Sequence, residues 1–344
     1  MNRFLEKTKV KLPIIQAGMA GGITTPELVA TVANEGGLGT IGAGYMTPVA
    51  LQRAIQQVKQ LTKQPFAVNL FATNLQATSN DLEPMQSALD VFRKRLGIES
   101  GSSQVQVDDY LEEHMEVLLE EKIPMISTAF GMLSDEQVMK LKTNRVTLLG
   151  MATNVKEAKQ LEEAGYDIIV AQGSEAGGHR GTFQITDYPE GCNIGLVALL
   201  SSIKQHVKLP VVATGGIVSK EQVEGLFKMG AEAVQIGTRF LLAKEAGTAP
   251  SYKAALLAAS GEDTVITTFF SGRPARGVAN TFTRELKKKQ MKALPFPIQN
   301  ACTKDIRKAA KEQNNAAYQS LWAGQGVGQL NQEETVKDIL VSLL

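Results

Sequence analysis

Eight short runs of apolar, largely β-branched residues recur along this chain of 344 residues, at 12–19, 38–43, 65–71, 123–130, 145–153, 167–173, 210–216 and 233–240. Between them lie stretches with the apolar spacing of helices, among them 26–34, 48–61, 135–141, 156–164 and 220–229. Several of these open on a hydroxyl able to cap the first turn: Thr25 and Thr47 each precede a proline, and Ser134 and Ser219 stand at the start of polar first turns. Strands that are apolar throughout, rather than alternating, belong to a sheet covered on both faces. A strand-then-helix unit repeated eight times therefore predicts a parallel (β/α)8 TIM barrel. The alternative is a doubly wound open sheet, which usually has fewer strands.

The segment 72–122 exceeds what one crossover helix needs and reads as an insertion over the end of strand three. With the eighth run ending near Phe240, a further unit must follow. The reading is an α/β chain with a barrel over 1–240, a smaller lid over 241–305 and a helical tail over 306–344 that packs back on the barrel. The lid holds a small-residue helix at 252–260, a strand-like run at 264–271 and a turn region Ser271-Gly272-Arg273-Pro274-Ala275-Arg276-Gly277; the tail closes on an amphipathic helix at 334–344.

Charge narrows the function classes. Lys and Arg number 36 against 35 Asp and Glu, a net charge of +1, so no global field favours nucleic acid or an anionic membrane. Any anion must be held by a local site. Two cysteines, Cys192 and Cys302, make neither a disulfide framework nor a cysteine-based zinc site. No apolar run approaches the length of about 18 residues that a membrane span needs, and the N-terminus lacks the apolar core of a secretion signal. The expectation is a cytoplasmic chain with no metal, membrane or nucleic-acid partner; subunit number is not legible.

Gly37-Leu38-Gly39-Thr40-Ile41-Gly42 matches the dinucleotide pattern G-x-G-x-x-G, but it follows a helix and runs into a strand, the reverse of what a pyrophosphate site requires. It reads as a helix end and a tight turn. Better placed are Gly215 and Gly216, closing strand seven, and Gln235-Ile236-Gly237-Thr238, closing strand eight. Loops after these two strands commonly bind phosphate in barrels, because glycine lets backbone N–H groups approach the oxygens.

Of three histidines, His114 sits in a charged helix and reads as solvated, and His206 precedes strand seven on the face away from the expected site. His179 differs. It follows strand six in Ala171-Gln172-Gly173-Ser174-Glu175-Ala176-Gly177-Gly178-His179-Arg180-Gly181, where barrel chemistry resides and where an imidazole can serve as base or donor. No second ligand of metal-binding type stands nearby, and no G-x-S-x-G points to a hydrolase.

That loop, together with Pro13-Ile14-Ile15-Gln16-Ala17-Gly18-Met19-Ala20-Gly21-Gly22, the Ser271 to Gly277 turn and Leu321-Trp322-Ala323-Gly324-Gln325-Gly326, resembles the nitronate monooxygenases over nearly the whole chain. The resemblance implies non-covalent FMN without a nicotinamide, and oxidation of alkyl nitronates by O2 to carbonyl compounds and nitrite. It also implies that Asn69, Gln172, Gly177, Gly215 and Gly216 contact the cofactor, that Gln235, Ile236, Gly237 and Thr238 hold its phosphate, and that Met19 and Ala20 lie along the flavin. His179 becomes the candidate catalytic residue, with Arg180, Arg273 and Arg276 as candidates to attract the anion. Gly18 departs from the proline common in that family. Glycine there is similar to the flavin-dependent enoyl-acyl-carrier-protein reductases, the alternative reading, against which Gln172 and Arg180 stand.

Overall fold

The computed structural model describes residues 2–79 and 82–344. Eight parallel strands form one sheet: Ile14–Gln16, Thr40–Gly42, Ala67–Phe71, Met125–Ala129, Thr147–Ala152, Ile168–Gln172, Val211–Thr214 and Ala233–Ile236. Each neighbours the next in sequence, strand eight pairs strand one, and a parallel bridge between Ile15 and Leu38 joins strands one and two. The sheet is thus a closed (β/α)8 barrel.

Side-chain alternation divides the apolar residues of each strand between two cores. Ile15, Ala67, Met125, Leu149, Ile168, Val170, Val212 and Ala233 point inward and fill the barrel, which helix Arg3–Thr8 plugs from below with Phe4. Ile14, Val68, Ile126, Leu148, Ile169, Val211 and Val234 point outward against the helices. Each fully buried side chain of this size stabilises the fold by about 1.5–3 kcal/mol.

The expected caps form: Thr25 and Thr47 accept from the backbone N–H three residues on, and Ser134 and Ser219 make reciprocal capping boxes with Gln137 and Gln222. In the Gly37 to Gly42 segment, the preceding helix ends at Asn34 and the chain turns into strand two, and the next helix opens only at Pro48, not on these glycines. The strands are shorter than the apolar runs. The eighth ends at Ile236 rather than Phe240, because Gly237 breaks it and a one-turn helix Thr238–Leu241 follows. Phe240 and Leu241 are buried from that helix, which made the run look like strand.

The insertion after strand three contains a strand pair, Ala77–Ser79 with Val105–Val107, and helix Glu83–Leu96. Leu82, Met85, Leu89 and Phe92 share an apolar core with Phe270, Phe282, Ile298 and Ile306, so the insertion and the segment beyond the barrel pack as one lid. Helix Lys304–Glu312 also belongs to this core, whereas helix Val336–Leu343 packs among the barrel's outer helices.

His114 is buried, not solvated. Its helix Leu111–Glu120 lies against the barrel, the ring Nε2 is 3.0 Å from the Met46 carbonyl oxygen, and burial pushes its pKa below the usual histidine value. The charged neighbours Glu112, Glu113 and Glu116 mask an inward-facing position. His206 is exposed at the end of helix Leu196–His206.

Candidate active site

Inward register decides what lines the mouth of the barrel. One rung above the apolar plug, the inward positions at the C-terminal strand ends are Asn69, Ser127, Met151, Gln172, Thr214 and Gln235, and all six face one cavity of about 460 Å³. Every residue assigned to cofactor or catalysis in the sequence lines the same cavity: Met19, Ala20, Gly177, His179, Gly215, Gly216, Ile236, Gly237 and Thr238 join Asn69, Gln172 and Gln235.

The strand-seven turn has φ of +130° at Gly215 and +68° at Gly216, conformations that favour glycine. Among the described residues, the backbone N–H groups of Gly215, Gly216, Gly237 and Thr238 find no hydrogen-bond acceptor within the protein. Four unpartnered donors converging on a cavity make a cradle for anionic oxygen. At Gly18, an added Cβ would stand 2.7 Å from the Cβ of Asn69, so the bare glycine lets strand one approach the strand-three residue. The Asn69 amide donates to Ser127 Oγ at 2.9 Å.

The loop bearing His179 is anchored on both sides. Gln172 holds it from the barrel, donating to the His179 carbonyl at 3.0 Å and accepting from Gly181 N–H at 2.8 Å. From the lid, strand Ala275–Val278 pairs antiparallel with both Thr264–Thr267 and Gly178–His179, setting Ala275 opposite His179. The His179 Nε2 lies 2.8 Å from Ser271 Oγ, and the ring packs 5.6 Å from Phe130 and 5.4 Å from Trp322. Burial, followed by the charges of Arg273 and Arg307, pushes the imidazole down to about 3, so it is neutral at physiological pH.

The three arginines read as anion attractors do not line the cavity, and each is bound to backbone carbonyls. Arg180 is fully buried and donates to the carbonyls of Gly173, Gln172 and Cys192 at 2.7, 3.1 and 3.1 Å. Arg273 donates to the Thr182 carbonyl and stacks 4.1 Å from the Phe130 ring centroid, while Arg276 donates to the Ser174 carbonyl at 2.9 Å. Their carbonyl partners, from the end of strand six and the loops beyond it, surround them only in the folded chain.

The cations that do line the cavity are Lys304, Arg307, Lys308 and Lys311, which the sequence reading passed over. Their spacing on one helix face was the available signal. Tyr45, Phe71 and Trp322 were also missed as lining residues; Phe71 stacks on Phe130 at 4.4 Å to form an aromatic wall.

A closed barrel with lid, cradle and imidazole at the C-terminal strand ends has the layout of a barrel enzyme. The sequence profile described as nitronate monooxygenase matches residues 2–344. A probable nitronate monooxygenase of Staphylococcus haemolyticus is 41% identical over 325 residues, covering 94% of this chain and 91% of that protein. The solved nitroalkane oxidase from Streptomyces ansochromogenes superposes with a TM-score of 0.91 at 35% identity, covering 99% of this chain and 96% of that one. FabK from Thermotoga maritima gives a TM-score of 0.79 at 28% identity, over 100% and 94% of the chains. The chain belongs to the nitronate monooxygenase family.

Proposed function

We propose that the chain oxidises alkyl nitronates with O2 to carbonyl compounds and nitrite, using FMN held non-covalently and no nicotinamide. The observation that carries this reading is the union, in one cavity, of four unpartnered backbone donors and a neutral imidazole. The donors suit a phosphate, so Gly215, Gly216, Gly237 and Thr238, with Gln235 and Ile236, would hold that end of the cofactor. Met19, Ala20, Asn69, Gln172 and Gly177 would contact the rest of it. FMN, when bound, supplies the electron acceptance and the reaction with O2 that side chains do not offer.

A nitronate arrives already deprotonated, so the protein's task is to seat an anion and exclude water. Phe71, Phe130 and Trp322 supply the apolar wall, and His179 stands against it. Where a neutral nitroalkane enters instead, His179 would be the base placed to take its Cα proton, the nitronate formed beside it raising the imidazole basicity that burial holds low. Both cysteines are free and buried, and among the described residues no helix is long and apolar enough to cross a membrane. With these we propose a cytoplasmic enzyme.

The test is the visible spectrum of the purified protein, aerobic and anaerobic, with propionate 3-nitronate and separately with NADH. A yellow protein that turns over nitronate and ignores NADH agrees with the proposal. Ready bleaching by NADH without nitronate turnover would replace it by the enoyl reductase reading.

A further inference from the structure

Helix Lys304–Glu312 is divided lengthwise. Ile306, Ala309 and Ala310 are buried in the lid core, while Lys304, Arg307, Lys308 and Lys311, spaced i, i+3, i+4 and i+7, face the cavity. No Asp or Glu is among the described residues lining that cavity. Four cations concentrated there contrast with a chain whose overall charge is +1.

These cations are poorly neutralised. Among the described residues, Lys304 and Lys311 make no ion pair, and Lys308 meets only Glu312, at 3.9 Å on an exposed surface. Arg307 is spent on uncharged partners, donating to the Asn300 carbonyl and Oδ1 at 2.8 and 2.9 Å. The carboxylate of Asp305 is turned to the other side of the helix, 2.7 Å from Arg93. A cleft lined by one sign of charge focuses its field and raises the local concentration of counter-ions, speeding association by about 10- to 10³-fold.

We propose that Lys304, Arg307, Lys308 and Lys311 are specificity determinants that make this site select an ionised nitronate over the neutral nitroalkane with the same carbon skeleton. The inference rests on the nitronate-oxidising reading of the cavity. The conjugate acid carries no net charge and gains nothing from the field, so the preference resides in substrate capture and is screened by salt over a Debye length of about 8–10 Å.

The test compares the wild-type holoenzyme with the triple variant Lys304→Gln/Lys308→Gln/Lys311→Gln and with the charge-preserving triple Lys→Arg variant at the same positions. Arg307 is left in place because its bonds to Asn300 hold the helix start. Three quantities are read: flavin content, calorimetric affinity for inorganic nitrate as an inert planar monoanion, and the ratio of kcat/KM for nitronate to kcat/KM for freshly dissolved nitroalkane at low and high salt. In the glutamine variant the ratio and the nitrate affinity should each fall by about tenfold and the salt dependence of the ratio should flatten, while the arginine variant keeps wild-type behaviour. A ratio and salt dependence equal to wild type in the glutamine variant overturn the proposal. So does loss of flavin, which would assign the lysines to the cofactor phosphate. If the wild type oxidises neither substrate, the functional reading fails, and unchanged nitrate affinity in the glutamine variant would then sink the electrostatic inference separately.

Discussion

His179 Nε2 and Ser271 Oγ meet at 2.8 Å across 92 positions of sequence, joining the loop after barrel strand six to the lid. Ser271 is buried, and its hydroxyl also donates to the Arg273 carbonyl at 3.1 Å. A hydroxyl whose proton is directed at Arg273 receives the imidazole N–H, which leaves Nδ1 as the ring's acceptor. Ser271→Ala removes that orientation without touching the cradle. The expected result is unchanged flavin content with a fall of roughly five- to tenfold in kcat/KM for a neutral nitroalkane, the size of one lost hydrogen bond of about 1–1.5 kcal/mol. Steady-state kinetics with Ser271→Thr, which retains a hydroxyl, should show partial recovery.

His179→Ala should purify yellow and folded, because the cradle donors belong to other residues. With a neutral nitroalkane, turnover should fall by roughly 10²- to 10⁴-fold, the contribution of a positioned base. With the preformed nitronate the loss should be smaller and lie mainly in KM. Equal kinetics of variant and wild type on both substrates would remove His179 from the chemistry.

Gly216→Asp should strip the cofactor. A carboxylate at φ +68° would be strained, its Cβ would stand 3.1 Å from that of Glu175, and its charge would oppose a phosphate at the neighbouring N–H groups. Absorbance of the purified variant gives the answer directly; full flavin content would move the phosphate elsewhere.

Arg180→Gln should lower stability by about 2–4 kcal/mol, since three carbonyls lose a charged donor inside the fold. Thermal or denaturant melts of the holoenzyme measure it. Wild-type stability would show that the guanidinium is not a strut.

Acid should weaken the fold through His179. Its folded value of about 3 lies below the ordinary value near 6.5, so the unfolded chain binds the proton first as pH falls. This group leaves stability unchanged above about pH 6.5 and erodes it progressively between there and pH 3. Urea melts at pH 7.5 and pH 5 should show the decline, and His179→Gln should reduce it.

Much of the barrel and its cradle was legible because their signals are local. Apolar runs mark strands, hydroxyls mark helix starts, and Gly215-Gly216 and Gly237 announce turns where backbone donors are free. The same local reading misjudged His114, whose acidic neighbours describe the helix's outer face and not the position that turns inward against Met46. It also extended strand eight through Phe240, since an apolar run has the same letters whether it continues a strand or begins a buried helical turn.

By itself, then, the sequence determined the repeating architecture and which loops carry glycine and histidine, because periodicity and backbone freedom act within a few residues. Only the tertiary structure decided what those loops face. Ser271 reaches His179, strand Ala275–Val278 binds the histidine loop, Glu83–Leu96 joins the lid, and four cations from Lys304–Glu312 turn toward the cavity. Arg180, Arg273 and Arg276 are drawn instead into carbonyl-lined niches. Each of these depends on segments brought together by apolar burial, a cooperative property of the whole chain that no window of neighbouring residues contains.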